Sequence, residues 1–162
     1  MNKTEFKINE LVEFLLEAKV NSYAGGGAEL KPQRPGFKEL EFSKGDWEYR
    51  DSYCGFFFAP GQEIVRYKGK PVWAMAYSGG MLSEYHGNKD FAKQTFTFLK
   101  KCLALVELSR PFRGPTNFKD GDFEYKDANN GDISDFSGTE HIYYKGKEVF
   151  RQHYIGGYII PK

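Results

Sequence analysis

Four acidic residues recur at matching positions in two stretches of this chain, and they are its strongest candidates for chemistry. The stretches are residues 45–81 and 121–158; the shared acids are Asp46, Glu48, Asp51 and Glu63 in the first, and Asp122, Glu124, Asp127 and Glu140 in the second. Two neighbouring carboxylates can act as general acid and general base, as in many hydrolases. The alternative is a structural role in turns and cross-strand ion pairs. Because both stretches keep these acids and catalysis usually needs asymmetry, we favour the structural role and assign no catalytic residue.

Metal binding is the second chemistry to consider, and the histidine spacing argues against it. With a two-residue turn at 145–146, strand pairing would place His141 and His153 on opposite faces of a sheet, because side chains alternate along a strand. The sequence contains no H-x-H, H-E-x-x-H or paired-cysteine spacing. We therefore predict no metal site and no cofactor, and we expect Cys54 and Cys102 to be buried free thiols rather than a disulfide.

Two helices are predicted from the spacing of apolar residues. From Asn9, a plausible N-cap, the apolar positions follow one helical face. They are Leu11, Phe14, Leu15 and Ala18. A second helix begins near Asn88 or Asp90 and has a comparable apolar face, with Phe98-Leu99 followed by Cys102.

Strands are predicted at about 37–42, 46–53, 62–67 and 71–77 and at the corresponding places of the second stretch. Lys68-Gly69 and Lys145-Gly146 separate β-rich segments. Each dipeptide is typical of a tight hairpin turn, because glycine accepts the positive φ that such turns require.

The two stretches are copies of one motif. With one residue inserted in the second, 16 of 37 aligned positions are identical. This repetition predicts an α+β fold: a tandem repeat of a helix plus an antiparallel β-meander, related by a pseudo-twofold axis in one compact domain. The domain would span residues 1–162, with repeats at about 5–83 and 88–160 and a groove between them.

Charge and hydropathy exclude several classes of partner. The chain carries 23 basic and 22 acidic residues, for a net charge of +1, so it lacks the electropositive surface of a nucleic-acid-binding protein. Its apolar runs are too short to span a membrane, and the N-terminus lacks the pattern of a signal peptide. The sequence predicts a cytoplasmic protein that binds neither nucleic acid nor membrane.

Several spaced motifs resemble a known family. They are Y-A-G-G-G from Tyr23, R-P at 34–35, G-D-W-x-Y-x-D-x-Y-x-G from Gly45, P-V-W-A-M-x-Y from Pro71, and P-F-R-G-P from Pro111. The chain resembles uncharacterised bacterial and phage domains that occur alone or behind a Cro/repressor-type (XRE-like) helix-turn-helix. The resemblance implies the stand-alone form and no known activity.

A candidate ligand site follows from the places where the two copies differ. The first copy is richer in rings, and a glycine-rich loop at 25–27 has no counterpart in the second half. Tyrosine, tryptophan and arginine bind planar or charged ligands by stacking, cation–π contact and forked hydrogen bonds. The predicted ligand contacts are Tyr23, Arg34, Tyr53, Trp73, Tyr77 and Arg113. For Trp73 and Tyr77, packing in the core is the alternative.

These observations favour a non-enzymatic domain that senses or sequesters a small molecule in an aromatic groove. The expected ligand is planar or anionic, and nucleotide-like ligands are included. A phage-type copy would sequester a nucleotide-derived signal. The alternatives are a hydrolase with paired carboxylates and a protein–protein adaptor. Homo-oligomerisation is left open.

Overall fold

A computed structural model describes residues 6–24 and 29–161. Two α-helices and nine strands follow in chain order. They are α1 (Ile8–Asn21), β1 (Glu29–Leu30), β2 (Lys38–Lys44), β3 (Trp47–Tyr53), β4 (Gly61–Tyr67), β5 (Lys70–Met81), α2 (Lys89–Leu103), β6 (Asn117–Asp120), β7 (Phe123–Asp132), β8 (Asp135–Tyr144) and β9 (Lys147–Tyr158). A short 3-10 helix, Ser83–Tyr85, precedes α2.

All nine strands belong to one antiparallel sheet, in the order β1-β2-β3-β4-β5-β9-β8-β7-β6. Its centre is the pairing of β5 with β9, which runs from Trp73 opposite Tyr158 to Met81 opposite Phe150. Because these two long strands pair with each other, neither is left as an open sheet edge. The outermost strands, β1 and β6, are short, as is common where an edge faces solvent.

The predicted fold class is therefore wrong. Of the described residues, 49% lie in strands and 21% in helices, so the domain is mainly β, and no tandem repeat of helix-plus-meander units is evident. The prediction failed because hydrophobic spacing reports local structure but not which strand edges join. The expected groove between two halves is replaced by a continuous hydrogen-bonded ladder between β5 and β9.

The two predicted hairpin turns are confirmed. Lys68 and Gly69 have φ values of 51° and 74°, and Lys145 and Gly146 have values of 50° and 80°. Positive φ at both central residues is the geometry of the type I′ turn, whose twist matches that of the flanking strands.

The predicted faces of the helices are also confirmed as core. In α1, Leu11, Phe14, Leu15 and Ala18 are buried, although the N-cap position is occupied by Lys7, whose side chain makes no capping hydrogen bond, rather than by Asn9. In α2 the Asn88 side chain accepts a hydrogen bond from the Phe91 backbone N–H at 3.1 Å. In the part of the chain that the structure describes, neither helix has the length and hydropathy needed to cross a membrane.

Both helices pack on the sheet through apolar side chains. The α1 face meets a cluster that includes Tyr49, Val65 and Trp73, which are aligned across β3, β4 and β5. The α2 face meets a second cluster that includes Ile142 and Phe150, which are opposite each other on β8 and β9. Alternation along the strands places every second residue on this helix-covered face.

The prediction that His141 and His153 lie on opposite sheet faces is wrong, because a β-bulge changes the strand register. The register of β8 and β9 shifts between Ile142 and Tyr143, so that His141 lies opposite Arg151 and His153 opposite Thr139. A one-residue shift moves every later side chain to the other face. His141 and His153 therefore share one sheet face, where they bond separately to Glu148 and Thr139.

Candidate functional site

A cavity of about 230 Å³ lies between the helix-covered face of the sheet, the C-terminal end of α1 and the C-terminal half of α2. Several aromatic side chains form part of its wall. The rings are those of Tyr23, Tyr49, Tyr53, Phe56, Tyr77, Phe96 and Phe150. Phe56 is 41% exposed, so it stands where the cavity meets solvent. The polar lining residues include Lys19, Asp51, Glu63 and Arg113.

Strand geometry explains why these side chains meet. Tyr49, Asp51 and Tyr53 alternate along β3 and therefore share one face. The register places Glu63 directly opposite Asp51. Such a cross-strand pair has its Cβ atoms about 5 Å apart, close enough for two carboxylates to interact.

Gly61 controls the position of Tyr77, which is opposite it on β5. A Cβ atom added at Gly61 would collide with the Tyr77 ring and would lie 2.7 Å from the Tyr53 Cβ. Without that Cβ, the Tyr77 ring extends across β4 towards β3. Its hydroxyl then donates a hydrogen bond to Asp51 Oδ1 at 2.6 Å.

Buried ion pairs form the polar side of the cavity. Lys19 of α1 donates to Glu63 Oε2, and Arg113 Nη1 lies 3.6 Å from Glu63 Oε1. The same guanidinium donates to Glu140 Oε1 at 2.7 Å, and Tyr125 donates to Glu140 Oε2 at 2.8 Å. These charges are almost completely removed from water, with Lys19 7% exposed and Glu140 0%. Burial lowers the pKa of Lys19, and the Glu63 carboxylate acts in the opposite direction.

Asp51 is an acid with an unusual pKa. Burial, followed by the charge of Glu63, raises its pKa from 3.8 to about 7. The hydrogen bond from Tyr77 and the charges of Arg113 and Lys19 act against this rise without cancelling it. Near neutral pH, Asp51 is therefore divided between its protonated and ionised forms.

Asp127 provides a comparison, because it aligns with Asp51 in the sequence repetition and lies opposite Glu140 on the neighbouring strand. It accepts from the Tyr154 hydroxyl at 2.9 Å, and burial followed by the Glu140 charge raises its pKa to about 6. Unlike Asp51, it has a direct cationic partner, since Arg110 Nη2 donates to its Oδ2 at 2.8 Å. It is not part of the cavity lining.

The tyrosines around the cavity are neutral hydrogen-bonding groups. Burial raises the pKa of Tyr53 to about 12, and it raises the pKa of Tyr23 further. The two rings meet edge to face with their centroids 6.2 Å apart. Two cations lie over rings of this wall: Lys100 Nζ is 5.0 Å from the Tyr23 centroid, and the Arg113 guanidinium is 5.5 Å from that of Tyr77.

The structure brings together four of the six predicted ligand contacts: Tyr23, Tyr53, Tyr77 and Arg113 all line the cavity. Trp73 does not reach it. Its side chain is 0% exposed, and its Nε1–H donates a hydrogen bond to the Ile133 carbonyl at 3.1 Å. Trp73 is therefore packed in the core, as the alternative prediction had it. The glycine-rich loop at 25–27 lies outside the described residues.

Arg34 is also separate from the cavity, as it is exposed with its guanidinium 3.9 Å above the Phe37 ring. From the sequence, Lys19 and Lys100 were not identified as lining residues, and Asp51 and Glu63 were assigned a structural role. The recurrence of Asp51 and Glu63 in both sequence copies pointed to these two acids, but only the strand register shows that both face the cavity. Among residues 6–24 and 29–161, no group of three or more histidine, cysteine or acidic side chains is placed to hold a metal ion.

Comparison with known proteins identifies a family. A domain model described as a domain of unknown function, DUF5680, matches residues 51–159. The match includes Asp51, Glu63, Tyr77 and Arg113, and it begins after α1 and its Lys19. No curated protein and no solved structure matches the chain.

Proposed function

The chain belongs to the DUF5680 family, a family of unknown function, and we propose from its cavity that the domain binds a small planar molecule without transforming it. One observation carries this proposal. A space of about 230 Å³ is walled in part by aromatic rings and contains a buried, hydrogen-bonded pair of polar groups, Asp51 and Tyr77. Binding sites typically combine apolar walls with a few placed polar groups in this way.

The size of the cavity limits the ligand. An engineered protein cavity of about 150 Å³ holds benzene, so 230 Å³ suits a ligand of one or two rings. Tyr23, Tyr53 and Phe96 offer ring faces and edges to such a ligand. Each ring contact contributes about 0.5–1.5 kcal/mol beyond the burial of surface. Larger parts of a ligand, such as the sugar and phosphate of a nucleotide, would extend past Phe56 into solvent.

A hydrolase is the second candidate, because one observation favours it. Asp51 has a pKa of about 7 and lies opposite a second carboxylate, which is the arrangement expected of a general acid or base at neutral pH. We rank binding first because Glu63 is already held by Lys19 and Arg113, so the two carboxylates are not equally free to exchange protons with a substrate.

The family resemblance suggests the setting of this function. In a regulator with an XRE-like helix-turn-helix, ligand binding would change the state of the DNA-binding part. In a stand-alone phage-type form, the domain would sequester a nucleotide-derived signal in the cytoplasm. A protein–protein adaptor without a small ligand is the contrasting proposal, and it predicts that the cavity stays without a ligand.

A thermal-shift screen followed by calorimetry tests the proposal. The panel contains nucleobases, nucleosides and aromatic acids. A ligand at 100 times its Kd stabilises a protein by about 2.7 kcal/mol, so at least one planar compound should raise the melting temperature measurably. Tyr53→Ala should weaken that binding by about 1–3 kcal/mol, the scale of one lost ring contact.

Tyr143→Ala is the matched control, because Tyr143 is a half-buried strand tyrosine outside the cavity lining. Equal loss of affinity in both variants, or no shift with any planar compound, would refute the proposed site. Chemical conversion of the bound compound would instead favour the hydrolase.

A further inference from the structure

Asp51 is buried without a cationic partner of its own. It is 4% exposed, and its Oδ1 accepts the Tyr77 hydroxyl at 2.6 Å. The ion pairs of the cavity join Lys19 to Glu63 and Arg113 to Glu63 and Glu140, and within the described part of the chain none of them includes Asp51. A buried carboxylate is expensive to keep ionised unless it is paired.

The neighbouring charges are already matched with one another. Lys19 pairs with Glu63, and Arg113 pairs most closely with Glu140. Lys38 and Lys100 also line the cavity, but Lys38 pairs with Glu29 and Lys100 lies over the Tyr23 ring. Among the buried groups, two cations therefore pair with two carboxylates, and Asp51 is the additional acid. Asp127, by contrast, has a paired charge, because Arg110 lies 2.8 Å from its carboxylate.

The Asp51 carboxylate, which is bonded to Tyr77 but paired with no cation, lines the cavity. We propose that Asp51 selects the ligand of this cavity by accepting two hydrogen bonds from adjacent N–H donors on one edge of a planar heterocycle. The class is an amidine-like edge, a ring N–H beside an exocyclic amino group, as in 2-aminoimidazoles, in guanine and in ring-protonated aminopyrimidines. This inference rests on the proposed binding function and names the chemistry that the site recognises.

The geometry suits such an edge. A carboxylate accepts two parallel N–H bonds from a planar fork, and these charge-assisted pairs are roughly twice as strong as neutral hydrogen bonds. Tyr23 and Tyr53 stand beside Asp51 in the same lining and can contact the ring of the ligand. When it is protonated, an amidine-like group would supply the positive charge that pairs with the Asp51 carboxylate.

Three small probes separate the possible causes of binding. They are 2-aminobenzimidazole, which has the two adjacent donors; benzimidazole, which has the ring without the amino group; and N,N,N-trimethylanilinium, which has a ring and a positive charge but no N–H donor. Calorimetry on the wild-type chain should show at least about tenfold tighter binding of 2-aminobenzimidazole than of either other probe, the effect of one charged hydrogen bond.

Asp51→Asn should remove this preference, because a side-chain amide presents one acceptor and one donor. Asp127→Asn should retain the preference, since that residue is buried and tyrosine-bonded in a comparable way but lies outside the cavity. If Asp51→Asn does not fold, carboxyl ¹³C NMR of the wild-type chain replaces it. The Asp51 signal should then shift on addition of 2-aminobenzimidazole and not on addition of benzimidazole.

The outcomes distinguish this inference from the proposed function. Equal affinities for the three probes, a preference that survives Asp51→Asn, or an unmoved Asp51 signal would overturn the role of Asp51 while leaving planar-ligand binding in place. If none of the probes and no compound of the planar panel binds, the proposed function fails, and the inference fails with it.

Discussion

Replacing Asp51 by asparagine should make the stability of this protein less sensitive to pH. The folded chain holds Asp51 with its pKa raised from 3.8 to about 7, chiefly by burial and then by the Glu63 charge. Between these values the folded state keeps a proton that the unfolded chain has lost. The free energy of unfolding of the wild type therefore falls as pH rises through this window, whereas the asparagine variant has no proton to lose at this position.

The magnitude follows from the pKa rise. One pKa unit corresponds to about 1.4 kcal/mol, so the loss approaches about 4 kcal/mol between the acid and alkaline limits, and about 2–3 kcal/mol of it falls between about pH 5 and pH 8. Relative to the wild type, Asp51→Asn should thus gain about 2–3 kcal/mol of stability across that interval. At the lower pH the folded variant and the folded wild type are both neutral at this position.

Urea denaturation of both proteins, followed by circular dichroism at several pH values, measures this difference. Asp127→Asn is the control. Because the pKa of Asp127 is about 6, its pH-dependent change should be smaller and should end at lower pH. A stability difference between the wild type and Asp51→Asn that stays constant within about 0.5 kcal/mol would show that Asp51 does not titrate as its surroundings imply.

Three further changes test the site and the fold. Lys19→Met should lower the free energy of unfolding by about 3–5 kcal/mol in urea melts, because it leaves Glu63 buried without its closest cation. The control, Lys44→Met, removes an exposed ion pair and should cost less than about 1 kcal/mol, so similar losses in the two variants would contradict the buried pair. Gly61→Ala should destabilise by about 1–3 kcal/mol in the same assay and weaken ligand binding, because its Cβ displaces the Tyr77 ring; unchanged values would refute that packing. A reducing agent should leave the melting temperature unchanged, because both cysteines are free thiols, and a drop of several degrees would reveal a disulfide.

The helices, the tight turns and the ring-rich character of the site could be predicted from the sequence, because each depends on neighbouring residues. The apolar spacing of Leu11, Phe14 and Leu15 identifies the buried face of α1 wherever that helix packs. A Lys-Gly dipeptide between β-rich segments specifies a hairpin turn, because only a few residues accept positive φ. Tyr23, Tyr53, Tyr77 and Arg113 were selected by residue type, and all four line the cavity.

Contacts between residues distant in the sequence decided the rest. The edges of β5 and β9 are each able to pair with several partners, and their joining produced one sheet where the repetition of the sequence had indicated two units. One bulge after Ile142 moved His141 to the same face as His153. Because side chains alternate strictly along a strand, no local pattern reveals such a shift.

The difference between Asp51 and Asp127 is likewise tertiary. The sequence places the two acids at aligned positions and gives no reason to separate them. Only the fold supplies Arg110 to Asp127 and leaves Asp51 beside an aromatic cavity with its charge unpaired. The cost of burying a charge depends on what surrounds it in three dimensions, and that is why residue type alone could not separate Asp51 from Asp127.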